Sequence, residues 1–260
     1  MKILYIAELV GKAGVYCFKK LINELKKETE ADFVIVCADG ATGAGGLGMN
    51  HAGYLQKLGA NVITLGDFCF YKKDLTENID KTRNILRPAN LSKHSPGKGE
   101  GVFKTKRGER IAAAVLLGQS SFSRIHAENP IDALEILLTR LKKETPFIIM
   151  DFHAQATAEK QTLFAAASGH CTAVIGSHCR VQTADARISG GTALITDAGR
   201  TGSALSCGGN DARLRINQYI SGIPDWTKEA WDYPQLQGVL IEANATGEAA
   251  AITTICRNVG

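Results

Sequence analysis

The sequence contains no Cys-x-x-Cys pair, and none of its glycine-rich stretches ends in Gly-Lys-Ser or Gly-Lys-Thr. The first absence argues against a paired-thiolate zinc site, the second against a nucleotide-binding P-loop. The seven cysteines are odd in number and irregularly spaced, which excludes a disulfide framework. Most are expected to be reduced, buried thiols that pack as small hydrophobes. No run approaches the roughly 20 apolar residues of a membrane span, and the opening run 1–6 is too short for a signal-peptide core. The expectations are therefore no membrane partner and a cytoplasmic location. Net charge is only +4, too weak an excess to signal nucleic-acid binding.

The chain does have the means to build a core. Its hydrophobic fraction of 45% over 260 residues is ordinary for a globular protein. Strand-like and helix-like segments alternate through the first half: strands over 3–7, 33–38 and 61–65, helices over 15–28, 51–58 and 73–84. Such alternation predicts βαβ units and a parallel core. The middle reads as a hairpin over 101–106 and 110–117, a helix over 130–143, a strand over 147–150 and a helix over 156–167. Short strands over 173–175, 186–188 and 193–196 come next. A helix over 212–220 and strands over 239–243 and 250–255 close the pattern. One α/β domain spanning 1–260, with two sheets and the second more antiparallel, is expected.

The chemistry is suggested by the residues just past each strand, because open α/β sheets bind ligands outside the carboxyl ends of their strands. Those ends carry Glu8, Asp39, Asp67, His153 and His178. Singly, each is more often a helix cap or turn residue. Five potential ligands at five strand ends together predict a metal site. Carboxylates with imidazoles suit iron, manganese or zinc. His51 and His126 are read as surface or core residues, and the segment 43–48 as a flexible turn.

Longer motifs surround these residues. Asp151-Phe152-His153-Ala154-Gln155-Ala156-Thr157-Ala158-Glu159-Lys160 resembles the D-F-H-A-E-A-T-S-E-K motif of the YmdB-like family of bacterial calcineurin-like metallophosphoesterases. Gly176-Ser177-His178-Cys179-Arg180-Val181-Gln182-Thr183-Ala184-Asp185 resembles its G-T-H-T-H-V-Q-T-A-D. Arg87-Pro88-Ala89-Asn90 and Thr196-Asp197-Ala198-Gly199 match further motifs in family order. The resemblance implies a four-layer α/β/β/α sandwich with a two-metal site between the sheets. It also implies hydrolysis of phosphodiesters, 2′,3′-cyclic nucleotides among them, and a homo-oligomer.

This sequence departs from the family at the implied ligands. Glu8 stands for an aspartate, Asp39 for a bridging glutamate, Asp67 for an asparagine and Arg180 for a histidine. Phe68 stands where the resemblance implies a histidine general acid. Asp39, Asp67, His153 and His178 remain competent ligands for one divalent metal, with Glu8 a weaker addition. Arg180 has no lone pair to offer a metal. It is expected either to stand in for a metal and hold a phosphate oxygen or simply to pair with a carboxylate. A phenyl ring cannot donate a proton, so hydrolysis is expected to be weakened. The alternative is an inactive relative that binds a nucleotide, a phosphate ligand or a protein partner. Arg200 is expected to add positive charge near the cleft.

Overall fold

The computed structural model describes residues 1–43, 45–224 and 228–260. In chain order the strands and helices are β1 (Lys2–Ile6), β2 (Glu8–Leu9), α1 (Gly11–Thr29), β3 (Phe33–Cys37), α2 (Met49–Leu58), β4 (Val62–Thr64), α3 (Lys73–Thr76) and β5 (Ile85–Leu86). Then come β6 (Glu100–Lys104), β7 (Arg110–Leu117), α4 (Pro130–Leu141), β8 (Ile148–His153), α5 (Thr157–Ala167), β9 (Ala173–Ser177), β10 (Arg187–Ser189) and β11 (Thr192–Ile195). The chain closes with β12 (Arg200–Ser203), α6 (Ala212–Ser221), β13 (Pro234–Ala243) and β14 (Ala249–Asn258).

Two sheets result. The first runs β2-β12-β13-β1-β3-β4-β5, with β14 also paired to β13; the second runs β10-β11-β9-β8-β7-β6. Strand alternation sorts the apolar side chains into three layers of contact. Ile3, Tyr5, Phe33 and Ile35 face Ile111, Ala113, Ile149 and Ile175 between the sheets. Leu4, Ile6, Val34 and Val36 point the other way, onto Phe18 and Ile22 of α1 and Leu55 of α2. Ala112, Leu116, Ile148 and Met150 meet Leu134, Leu137 and Leu141 of α4 and Leu163 and Phe164 of α5. Three apolar interfaces make four layers, the expected α/β/β/α sandwich. Central strands buried on both faces explain the unbroken apolar run of β3.

Two expectations are corrected. The helix expected over 73–84 is only the four-residue α3 and a 3-10 turn over Ile79–Lys81. Leu75 and Ile79 do share a buried face, which mimics a helical stripe. However, the Asn78 amide donates to Asp74 O and the Thr82 hydroxyl to Ile79 O, local bonds that favour turns over helix. The last two strands join the first sheet, where β13 lies antiparallel to β1, β12 and β14. The second sheet keeps β7, β8, β9 and β11 parallel, so it is not the more antiparallel of the two. Of the cysteines, Cys17, Cys37, Cys69 and Cys171 are buried, while Cys179, Cys207 and Cys256 are exposed. Among the described residues no helix is long and apolar enough to cross a membrane.

Candidate metal centre

The carboxyl ends of β4, β8 and β9 deliver three side chains to one point. Ligand atoms of Asp67, His153 and His178 all lie within 4.8 Å of one another. Asp67 Oδ1 is 2.8 Å from His153 Nε2 and 3.3 Å from His178 Nδ1. The two imidazoles meet at 3.0 Å, His178 Nδ1 to His153 Nε2. Gly66 permits this approach, because a Cβ there would lie 2.2 Å from the His153 ring.

His153 is oriented from behind. The Ser177 hydroxyl donates to Asp151 Oδ1 at 2.7 Å and lies 3.0 Å from His153 Nδ1. Its single proton is committed to Asp151, so it accepts from Nδ1–H and leaves Nε2 aimed at Asp67. Asp151 is in turn held by the Tyr5 and Thr64 hydroxyls, tying β1 and β4 of one sheet to β8 of the other. Burial opposes charge on His153. The hydrogen bond to Asp67 and the charges of Asp39, Asp67 and Glu8 outweigh it and raise the ring to about 9. Burial pushes Asp67 up, but its bonds to His153 and His178 prevail and hold it well below the usual carboxylate range.

Asp39 lies at the edge of this group. Its Oδ2 is 3.7 Å from His153 Nε2. Gly66 N–H donates to its Oδ1 at 2.7 Å and Phe68 N–H to its Oδ2 at 3.0 Å. Each oxygen keeps a second lone pair, so Asp39 can still add a ligand. Burial pushes it up to about 7; His153 opposes the rise, and the charges of Asp67 and Glu8 support it.

Glu8 and Arg180 form a separate pair. Arg180 Nε and Nη2 both donate to Glu8 Oε1, at 3.0 and 2.6 Å, and Nη1 donates to Gly208 O. Glu8 is 1% exposed, and among the described residues its Oε2 finds no hydrogen-bond partner. The carboxylate pair expected of Arg180 is present. His178 and Arg180 both have left-handed backbones, with φ of 92° and 61°. Their turn is held by Asp197, which accepts from Cys179 N–H and from the buried Lys160 ammonium, at 2.8 and 2.9 Å.

A cleft of about 240 Å³ opens over the triad, lined among others by Asp67, Phe68, Tyr71, Phe122, Arg124 and His178. The Phe122 ring stands edge-on to His178 at 5.0 Å, and Phe68 packs on Tyr71 at 4.6 Å. The larger cavity of about 670 Å³, between Lys26, Asn61 and Arg107, contains none of these ligands. His51 is bonded to the Thr42 hydroxyl and His126 is exposed, as expected of residues outside the site. Arg200 directs its guanidinium to the carbonyls of Arg180 and Ser203.

Residues 4–255 match the family described as YmdB-like protein. The chain belongs to the YmdB-like family. Among its YmdB-like relatives it is 35% identical over 262 residues to the 2′,3′-cyclic-nucleotide 2′-phosphodiesterase of Bacillus subtilis, covering 99% of this chain and 97% of that protein. A solved phosphatase structure from Mycoplasma pneumoniae is 32% identical, with a TM-score of 0.92 over 99% of this chain and 93% of that one. A Thermus thermophilus structure at 24% identity superposes with a TM-score of 0.91 over 99% of both chains and adds support for the fold alone.

The YmdB-like motifs locate His153 and His178, but sequence alone does not single out several of their neighbours. Asp151 lies two residues before His153 on one strand, so alternation alone puts them on the same face. Ser177 lies inside the motif that carries His178, but nothing local marks Tyr5, Thr64, Tyr71 or Phe122 as parts of the site.

Proposed function

We propose that this YmdB-like chain is a metal-dependent phosphodiesterase or phosphatase with a site rebuilt around one divalent ion and with weakened hydrolysis. The supporting observation is the convergence of Asp67, His153 and His178. One carboxylate oxygen and two imidazole nitrogens fit a single ion of iron, manganese or zinc and leave open positions for substrate. Asp39 is the fourth ligand in this reading, and residues 1–260 act as one domain.

A second ion does not fit the same way. Arg180 brings a fixed positive charge to Glu8, and its guanidinium cannot ligate. Here Arg180 balances Glu8 and Asp39 where a second cation would otherwise do so. Arg124 lines the open cleft and adds a second cation that can meet a phosphate oxygen there.

When bound, a single divalent ion supplies Lewis-acid polarisation of a phosphoryl oxygen and eases ionisation of the attacking water. The residues of the chain do the rest. Asp151 and Ser177 hold His153 Nε2 in place, Asp197 and Lys160 hold the turn carrying His178, and Phe122 screens the imidazoles from solvent.

A phosphate ester or nucleotide is the substrate class, supported by relatives named as a phosphodiesterase and a phosphatase. Those names favour turnover over binding alone. The test is hydrolysis of 2′,3′-cyclic nucleotides with added manganese, iron or zinc. Turnover that disappears in His153→Ala supports the proposal; no turnover with any of the three metals refutes it.

A further inference from the structure

The pole of the sandwich opposite the metal centre carries a second concave surface. Asp39 and Asp67 follow β3 and β4 in the chain, whereas Asp32 and Asn61 precede those strands. The cavity of about 670 Å³ opens at this second pole. Lys26 and Lys27 reach it from the last turn of α1, and Lys106 and Arg107 from the turn between β6 and β7. One basic pair therefore comes from the helix layer on the first sheet and the other from the edge of the second sheet.

The carboxylates of the cavity are already engaged. Glu30 pairs with Lys2 at 3.0 Å. Asp32 accepts from the Lys2 backbone N–H at 2.9 Å and pairs with Arg107 at 3.6 Å. Among the described residues Lys26, Lys27 and Lys106 have no carboxylate partner. Lysines in a last helical turn suit the dipole of α1, but that accounts neither for Lys106 nor for its place beside Lys26. Burial and the charge of Lys106 both press the Lys26 ammonium below its ordinary value. Like charges gathered on concave walls focus the field and draw counter-ions to it.

Two of the donors are held in place. Gly59 caps α2, and a Cβ there would lie 3.0 Å from Lys26 Nζ, so the missing side chain makes room for the ammonium. Asn61 Oδ1 accepts from Val34 N–H at 2.8 Å. That bond fixes the side chain in the cavity wall and leaves its amide N–H groups without a partner among the described residues. No aromatic side chain lines the cavity, so no ring is present on which a base could stack.

We propose that this cavity binds a phosphoanhydride chain, either an inorganic polyphosphate or the triphosphate of a nucleotide. Three ammonium groups and a guanidinium suit an anion of three or more charges, and a single sulfate-sized ion meets only part of them. Ammonium groups act as point charges without fixed directionality, which suits a flexible chain of phosphates. The basic groups surround one cavity from two sides rather than forming a stripe, an arrangement for a compact polyanion rather than a nucleic-acid strand. The site is separate from the metal centre, so the inference does not depend on the phosphoesterase reading.

Calorimetric titration of the metal-stripped full chain tests it, with inorganic triphosphate, ATP, AMP and sulfate as probes. Triphosphate and ATP should bind equally, at least about tenfold more tightly than AMP or sulfate. Both affinities should fall as salt rises toward about 0.5 M. Lys106 is exposed, so Lys106→Glu should leave the melting temperature unchanged while weakening triphosphate about tenfold or more. Lys27→Glu should act in the same direction, and Arg124→Ala, at the metal cleft, should have no effect. The proposal is overturned if triphosphate does not bind, or if AMP or sulfate binds as tightly. It is also overturned if Arg124→Ala rather than Lys106→Glu removes binding. ATP binding without inorganic triphosphate binding would mean that the base is read. Single-stranded RNA binding more tightly than triphosphate through the same lysines would replace the small polyanion with a strand. Either result contradicts the assignment.

Discussion

His153 Nε2 and Asp67 Oδ1 lie 2.8 Å apart, each shifting the other toward its charged form. The same two atoms are the ones a divalent ion would need, so proton and metal compete for one place.

That competition predicts a pH signature. In the metal-stripped protein His153 is held at about 9, against about 6.5 for an unfolded histidine. Asp39 is held at about 7, against about 3.9 unfolded. A raised group stabilises fully below its unfolded value, and that stabilisation is lost as pH rises through the folded value. Melting temperature of the stripped protein should therefore fall between about pH 4 and 7 through Asp39 and between about pH 6.5 and 9 through His153. Added manganese should remove much of the fall, because metal binding displaces the His153 proton. Thermal melts across this range, with and without metal, provide the check.

The Glu8–Arg180 pair is 1% and 15% exposed at its two side chains. Arg180→Met leaves a buried carboxylate uncompensated, and its expected cost is about 3 to 5 kcal/mol. Glu8→Gln in the same background should recover much of that loss. Urea unfolding of the two single variants and the double variant measures the coupling; additive losses would mean the two residues do not act as a pair.

Ser177→Ala removes the acceptor for His153 Nδ1–H while leaving every proposed ligand intact. Metal affinity should fall about 10- to 100-fold, with secondary structure unchanged. Calorimetric titration with manganese measures it, and an unaltered affinity would remove Ser177 from the account.

The site is legible in the sequence where it depends on position along a strand. Asp39, Asp67, His153 and His178 each lie at or just past a strand end, and the parallel topology carries those ends to one edge of the sandwich. The illegible part depends on the stacking of one sheet on the other. Tyr5 on β1 reaches Asp151 on β8 across 146 residues, and no local pattern encodes that. Phe122 sits in the loop between β7 and α4, where neither period constrains a side chain. The segment 73–84 misleads because Leu75 and Ile79 have helical spacing while the Asn and Thr side chains between and after them bond to local carbonyls. The tail strands have strand-like sequences, but only their register with β1 shows which sheet they complete.

The proposed site holds one ion per chain at the Asp67–His153–His178 triad. Elemental analysis after reconstitution with excess manganese or iron and removal of loosely held ion tests it most directly. The expected result is one ion per chain, lost in His153→Ala and unaffected by Glu8→Gln. Two tightly held ions per chain, or a single ion retained without His153, would contradict it.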